Sequence, residues 1–266
     1  CECLTSFCAN YMRPVLEGRQ DKARAQRRDI CYGLSRMASE DDKPLATFGQ
    51  KNGAGRFIGY QKGSMVFAML ADQIGQDATW RSLRRLRDER LGKPTTWKDI
   101  QAVIERESRQ PLAAFFDTWV RAGGVPQITI DGAGYDQRAR RLSMTLTQTG
   151  PCVYDVTFPV RLVFDDRIQD EPISVNRSTK IALIKSLIAP NFVELDPDFH
   201  VMRRVPIENV MPTISGIGKS KNLLIVRSED DGDAYNPVVD QIKERYVKAK
   251  DTAAREIKDG ELRPED

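Results

Sequence analysis

The sequence predicts an α+β chain of more than one domain: a helical first half, an antiparallel β-sandwich and a small α/β tail. Two observations carry most of this. Apolar residues recur at helical spacing as far as about residue 124, and after Val125-Pro126 the apolar period drops from about 3.6 to 2. With 266 residues and 40% hydrophobic content, the chain can bury real cores.

In the first region, 1–124, Leu4, Phe7, Cys8 and Tyr11 recur at helical spacing, as do Val66, Phe67, Leu70 and Ile74. Further helices are predicted at about 77–91, 96–108 and 111–122. For the second of these, Thr96 is the N-cap, Asp99 follows three residues on, and Trp97, Ile100, Val103 and Ile104 form the apolar face. The last carries Leu112, Phe115, Phe116 and Trp119, with Pro111 in its first turn and Gly123-Gly124 at its end.

The second region, 125–202, alternates. Leu142, Met144 and Leu146, then Val156, Phe158, Val160, Leu162 and Phe164, describe strands with one buried face. Breaks at DGAG, QTGP and FDDRIQDEP separate them, and more strand is expected near 173–176, 179–187 and 191–195. Short alternating strands without intervening helices favour an antiparallel sandwich of immunoglobulin or fibronectin type.

The tail, 203–266, has LLIVR at 223–227 as one buried strand and a helix from Pro237 to about Lys250 bearing Val238, Val239, Ile242 and Tyr246. The closing AAREIKDGELRPED is too charged to hold a core. One strand and one helix are too little to fold alone, so the tail is expected to dock on the sandwich or to begin a further domain.

Charge excludes some partners. Lys+Arg number 41 against 38 Asp+Glu, a net +3, which gives no chain-wide case for nucleic acid. The arginine run WRSLRRLRDERLGK carries its own acids and reads as a solvated face. No run approaches the roughly 20 apolar residues of a membrane helix, and no signal peptide opens the chain, so it reads as soluble. Opening at Cys1 and entering helix directly, it reads as a fragment of a longer protein; a lipoprotein with an acylated Cys1 is the alternative. Five cysteines, four within the first 31 residues, make no disulfide framework and favour a reducing compartment, the cytoplasm, unless an absent N-terminus carries a signal for the cell envelope. Cys1, Cys3, Cys8 and Cys31 contain no C-x-x-C pair, so buried apolar side chains are expected rather than a zinc site.

Local motifs for chemistry are sparse. His200, in LDPDFHVMRR, is the single histidine and reads as a surface or hydrogen-bonded residue, with no nucleophile motif behind it. The glycines of NGAGRFIGYQKGS and of GIGKSK at 216–221 fit neither phosphate-binding pattern, and both segments read as loops.

An ordered set of segments nevertheless resembles one family. CECLTSFCANYM is similar to a Glu-Gly-Phe/Leu-Ala-x-Tyr/Phe segment, GYQKGSMVFAMLADQIG to a Tyr-x-Lys-Gly-small helix ending in Ile/Leu-Gly, and TTWKDIQAVIERESRQPLAAFFDTWVRAGGVPQITI to a Thr-x-x-Asp helix, Leu-x-x-Phe-Phe-x-x-Trp and Gly-x-Pro before a strand. In order and spacing they resemble the C-terminal half of gluzincin zinc aminopeptidases, the aminopeptidase N and leukotriene hydrolase-like family. The likeness covers about residues 1–130 well and the sandwich in type.

The resemblance implies the all-α half of a thermolysin-like catalytic domain ahead of the sandwich. It implies that Tyr60 is the phenol that hydrogen-bonds the developing oxyanion, and that Glu2 is the third ligand of a His-His-Glu zinc site. Lys62 is expected to be structural and Gly63 to permit close packing. Cys3 departs from the family glycine and Thr5 from its frequent alanine. Both zinc histidines, the general-base glutamate between them and the Gly-x-Met-Glu-Asn segment are absent from this chain. The expectation is therefore a zinc aminopeptidase acting on peptides in the longer protein, completed by the missing N-terminal part of its own catalytic domain, with this chain alone inactive and without tightly bound zinc. No substrate-binding residue emerges. The competing expectation is a non-catalytic adaptor or degenerate relative.

Overall fold

The computed structural model describes residues 2–47, 53–211, 222–229, 234–244, 253–261 and 263. Contacts within the chain divide it into two compact units, Cys1–Val210 and Met211–Asp266. Helices and two antiparallel sheets make it a mixed α+β protein.

The first unit begins with continuous helical backbone: α1 (Glu2–Phe7), a π turn (Cys8–Met12) and α2 (Arg13–Leu16). The π turn, in which Arg13 N–H bonds to Cys8 O, inserts a residue into the ordinary helical repeat. It therefore rotates the expected apolar face: Phe7 and Met12 are buried, Leu4 and Tyr11 half-buried, and Cys8 exposed.

α3 (Gln20–Arg36) follows, then short 3-10 turns at Ser39–Asp41 and Leu45–Thr47. α4 (Gly53–Arg56), a second π turn (Phe57–Lys62) and α5 (Gly63–Ile74) form another continuous helix. Every residue from Gly63 to Leu70 is buried, which makes α5 the central helix of the unit.

α6 (Gln76–Arg90) turns its arginines outward, where Arg85 meets Glu107 at 3.1 Å. Arg106 of α7 (Trp97–Ser108) reaches back to Glu89 at 2.7 Å, as befits a solvated face. α7 opens on the expected capping box between Thr96 and Asp99. α8 (Ala113–Phe116) starts later than expected, with Leu112 as N-cap and Pro111 outside; it continues into a third π turn, Asp117–Arg121.

Two three-stranded antiparallel sheets complete the unit. One has the order β1-β2-β5 and the other β4-β3-β6, from β1 (Gln127–Asp136), β2 (Arg141–Thr149), β3 (Val156–Val163), β4 (Ile168–Val175), β5 (Thr179–Lys185) and β6 (Phe192–Leu195). The expected break at DGAG is not a turn. β1 runs through it, with a register shift between Ile130 and Gly132, because glycines accommodate a bulge within a paired strand. The chain reverses only at 137–140, where Asp136 Oδ1 accepts the backbone N–H of Arg138 and Ala139. FDDRIQDEP likewise divides: the turn ends near Arg167, and IQDEP belongs to β4.

The alternating residues Leu142, Met144, Leu146, Val156, Phe158, Val160 and Leu162 are buried as predicted. They share one continuous apolar core with Phe67, Phe116 and Trp119 of the helices. The switch from helix to strand near residue 125 thus falls inside one compact unit.

The second unit contains β7 (Asn222–Arg227), α9 (Asn236–Ile242) and β8 (Ala253–Lys258). β7 is not the buried strand expected: Leu223–Ile225 are half-buried and Val226 is exposed. AAREIK, expected to be only charged tail, pairs with it in parallel and buries Ile257. Strand, helix and parallel strand are the parts of a crossover unit. The predicted loop GIGKSK and the helix end at 245–250 with Tyr246 lie outside the described residues, as does Cys1. Among the described residues, no helix is long and apolar enough to cross a membrane.

Candidate functional site

Glu2 is half-buried in the first turn of α1, and Tyr60 stands on the π turn leading into α5, 40% exposed. One contact relates the two segments. A Cβ placed on Gly63 would lie 2.5 Å from Cys3 Sγ and 2.7 Å from Cys3 Cβ, closer than atoms pack. α1 therefore crosses the start of α5 at Cys3 and Gly63. Glu2 adjoins one side of that crossing, and Tyr60 precedes the other by less than a turn. The departure at Cys3 is thus compensated locally: its side chain fills the space that Gly63 leaves open.

The π turn under Tyr60 is held by Gly63 N–H bonding to Ile58 O, five residues back. Its flanks are anchored separately. Gln61 Oε1 accepts from Gln26 Nε2 of α3 at 3.0 Å, while Lys62 turns inward to a fully buried ion pair with Asp42, 2.6 Å from Nζ to Oδ1. Lys62 Nζ also donates to Gly124 O at 3.3 Å, and Arg204 Nη2 lies 3.8 Å from Asp42 Oδ2. Burial pulls the Lys62 ammonium below its ordinary pKa, and Asp42 opposes that pull. These contacts give Lys62 the structural part expected of it, tying the Tyr60 segment to the Gly124–Pro126 entry into the sheets.

Sequence reasoning missed Asp42. Its place in SEDDKP resembles an exposed turn, and only the partner Lys62, unusual beside an apolar run, hinted at a buried counterion.

His200 belongs to a second anchoring cluster. Its Nδ1 lies 3.2 Å from Asp196 Oδ1, and the side chain is 42% exposed. Asp196, fully buried, also accepts the backbone N–H of His200 and Val201 and the guanidinium of Arg203 at 2.7 Å. The segment then packs on α3: Arg204 donates to Leu34 O and Met37 O at 2.7 and 2.6 Å, and Val205 N–H to Ser35 Oγ. The hydrogen bond to Asp196 raises the His200 pKa, opposed by burial. Among the described residues, Asp196 is the hydrogen-bond partner of the ring.

The cysteines divide. Cys3 and Cys31 are buried as expected, and burial pushes both thiols up to about 11; Cys8 is exposed, against the expectation that it is buried, and Cys152 is exposed too. For Cys8 the displacement comes from the π turn. Among the described residues, no group of three or more His, Cys, Asp or Glu side chains could hold a metal ion. The donor set around Glu2 does not fit a zinc centre on its own.

Known proteins place the chain beside one class of enzyme, the aminopeptidases. Glutamyl aminopeptidase of Homo sapiens is 27% identical over 158 residues, covering 57% of this chain and 16% of that protein. Aminopeptidase N of Haemophilus influenzae is 28% identical over 103 residues, 39% of this chain and 12% of the relative. The chain therefore matches only a small part of the length of these relatives. No family model matches. Among solved structures, Legionella pneumophila aminopeptidase A in complex with aspartic acid shares 14% identity, covering 71% of this chain and 22% of its own, with a TM-score of 0.45. The chain is similar in sequence to a part of these aminopeptidases.

Proposed function

We propose that this chain forms part of a zinc-dependent aminopeptidase that hydrolyses N-terminal residues from peptides, and that its own contributions are Tyr60 and Glu2. The observation that carries this is the Cys3–Gly63 crossing, which brings the segments bearing the two residues together. The names of the sequence relatives support the same activity. In this scheme the Tyr60 phenol donates a hydrogen bond to the oxyanion that develops as the peptide carbonyl becomes tetrahedral, and the Lys62–Asp42 pair fixes the turn from which it projects. Glu2 offers a single carboxylate, and the remaining zinc ligands and the proton-accepting glutamate would come from sequence outside this chain. The two sheets, read as a sandwich over residues 125–202, brace the helical part through the Gly124–Pro126 junction and the 196–205 segment.

The test is the full-length protein. Tyr60→Phe is expected to lower kcat by about 100- to 1000-fold with folding intact, the scale of one lost oxyanion donor. Unchanged turnover in that variant would remove its proposed role. An inactive full-length protein with no His-Glu-x-x-His segment ahead of Glu2 would favour the adaptor alternative.

A further inference from the structure

A cleft of about 690 Å³ opens between the helical part and the second sheet, and neither Glu2 nor Tyr60 lines it. α5 contributes Met69 and Asp72, α8 and the turn after it Phe115 and Trp119, β3 with the residue before it Phe158 and Asp155, β4 Asp170, and the loop after β6 His200. Its volume is that of a small-molecule site, and its lining combines aromatic and aliphatic surface with a few polar groups.

The charged groups are mostly acidic, and His200, held by Asp196, is the titratable group besides them. Three carboxylates line the cleft, and no Lys or Arg does. Two of the three are already balanced from behind: Arg27 holds Asp72 at 2.6 and 2.8 Å, and Arg161 holds Asp170 at 2.8 Å through each oxygen. Asp155 is exposed and has no ion pair or side-chain hydrogen bond among the described residues. One carboxylate without a counterion in a cleft with apolar lining suits one positive charge on an apolar body, since the cation pairs with the carboxylate while the body leaves water.

We propose that this cleft binds a monocationic amphiphile: an aromatic or aliphatic body seated against Pro111, Phe115, Pro159 and Pro172, ending in an ammonium or guanidinium group at Asp155. This chemistry has two sources, a small amine or a basic side chain next to an apolar one in a peptide. The proposal is independent of the peptidase assignment, because neither Glu2 nor Tyr60 lines the cleft.

Calorimetric titration of the 266-residue chain, with tryptophan fluorescence as a second readout, tests it. The probes are 2-phenylethylammonium, the uncharged 2-phenylethanol and the blocked dipeptide acetyl-Phe-Lys-amide. The ammonium is expected to bind about fivefold more tightly than the alcohol, the increment of a partly exposed ion pair. Asp155→Asn is expected to erase that preference while leaving the binding of the alcohol unchanged. Tighter binding of the dipeptide than of the amine would support the proposal with a peptide as the source, and the reverse order would support it with a small amine. Equal binding of ammonium and alcohol, a preference that survives Asp155→Asn, or no saturable binding by any probe would overturn it.

Discussion

Gly63 and Cys3 behave as one packing unit, because the bare backbone of the first admits the sulfur of the second. Adding a methyl group at Gly63→Ala forces either side chain or helix to move, at a cost of about 1–3 kcal/mol in denaturant unfolding. In combination with Cys3→Gly the cost should fall below the sum of the two single changes, and a strictly additive pair would show that the contact is not the cause. His200 gives a second prediction at this scale. Its folded pKa is raised by the bond to Asp196, so its contribution to stability is fully present below the unfolded-state value of about 6.5 and is lost as pH rises through the higher folded value. His200→Gln should flatten that decline in melting temperature on the alkaline side of 6.5; an unaltered pH profile would mean that the Asp196 bond adds nothing.

Helices in this chain were legible where periodicity was long and capped. Thr96 and Asp99 marked the start of α7 correctly because the capping box satisfies backbone donors locally, without tertiary help. The π turns of the first unit were not legible: each adds one residue to a repeat that otherwise reads as ordinary helix, and the turn at Cys8–Met12 thereby sends Cys8 to the surface. The DGAG segment misled for a related reason, since glycine serves a reversal and a bulge alike, and its pairing with β2 decides between them. The segment carrying Tyr60 depends on a tie of similarly long range, the Lys62–Asp42 pair. Lys62→Met should cost about 3–5 kcal/mol by leaving the Asp42 carboxylate buried with only the more distant Arg204 beside it, while adding Asp42→Asn should recover most of that loss. Urea unfolding of the single and double variants checks this; a double variant no more stable than the single would show that the pair's charge is not what matters.

For the whole molecule, the proposed scheme makes zinc content the measurable quantity. With Glu2 as the carboxylate contributed here, elemental analysis of the isolated chain after dialysis should return well under one zinc per molecule, and stoichiometric zinc would reveal ligands that the proposed scheme does not include. The second unit shows why a tail can defeat reading in isolation: AAREIK becomes a strand only because β7 offers it a parallel partner, and charged side chains are tolerated on faces that stay wet. By itself the sequence determined the order of helical and strand regions, the buried alternation of β2 and β3, the α7 cap and the resemblance that singles out Glu2 and Tyr60, because each of these is written in neighbours along the chain. Only the tertiary structure decided that Cys3 meets Gly63, that Lys62 finds Asp42, that Asp196 gathers His200 and Arg203, and that a carboxylate-lined cleft opens against β3. Those contacts join residues distant in sequence, and their energies arise from burial and charge pairing that no local pattern encodes.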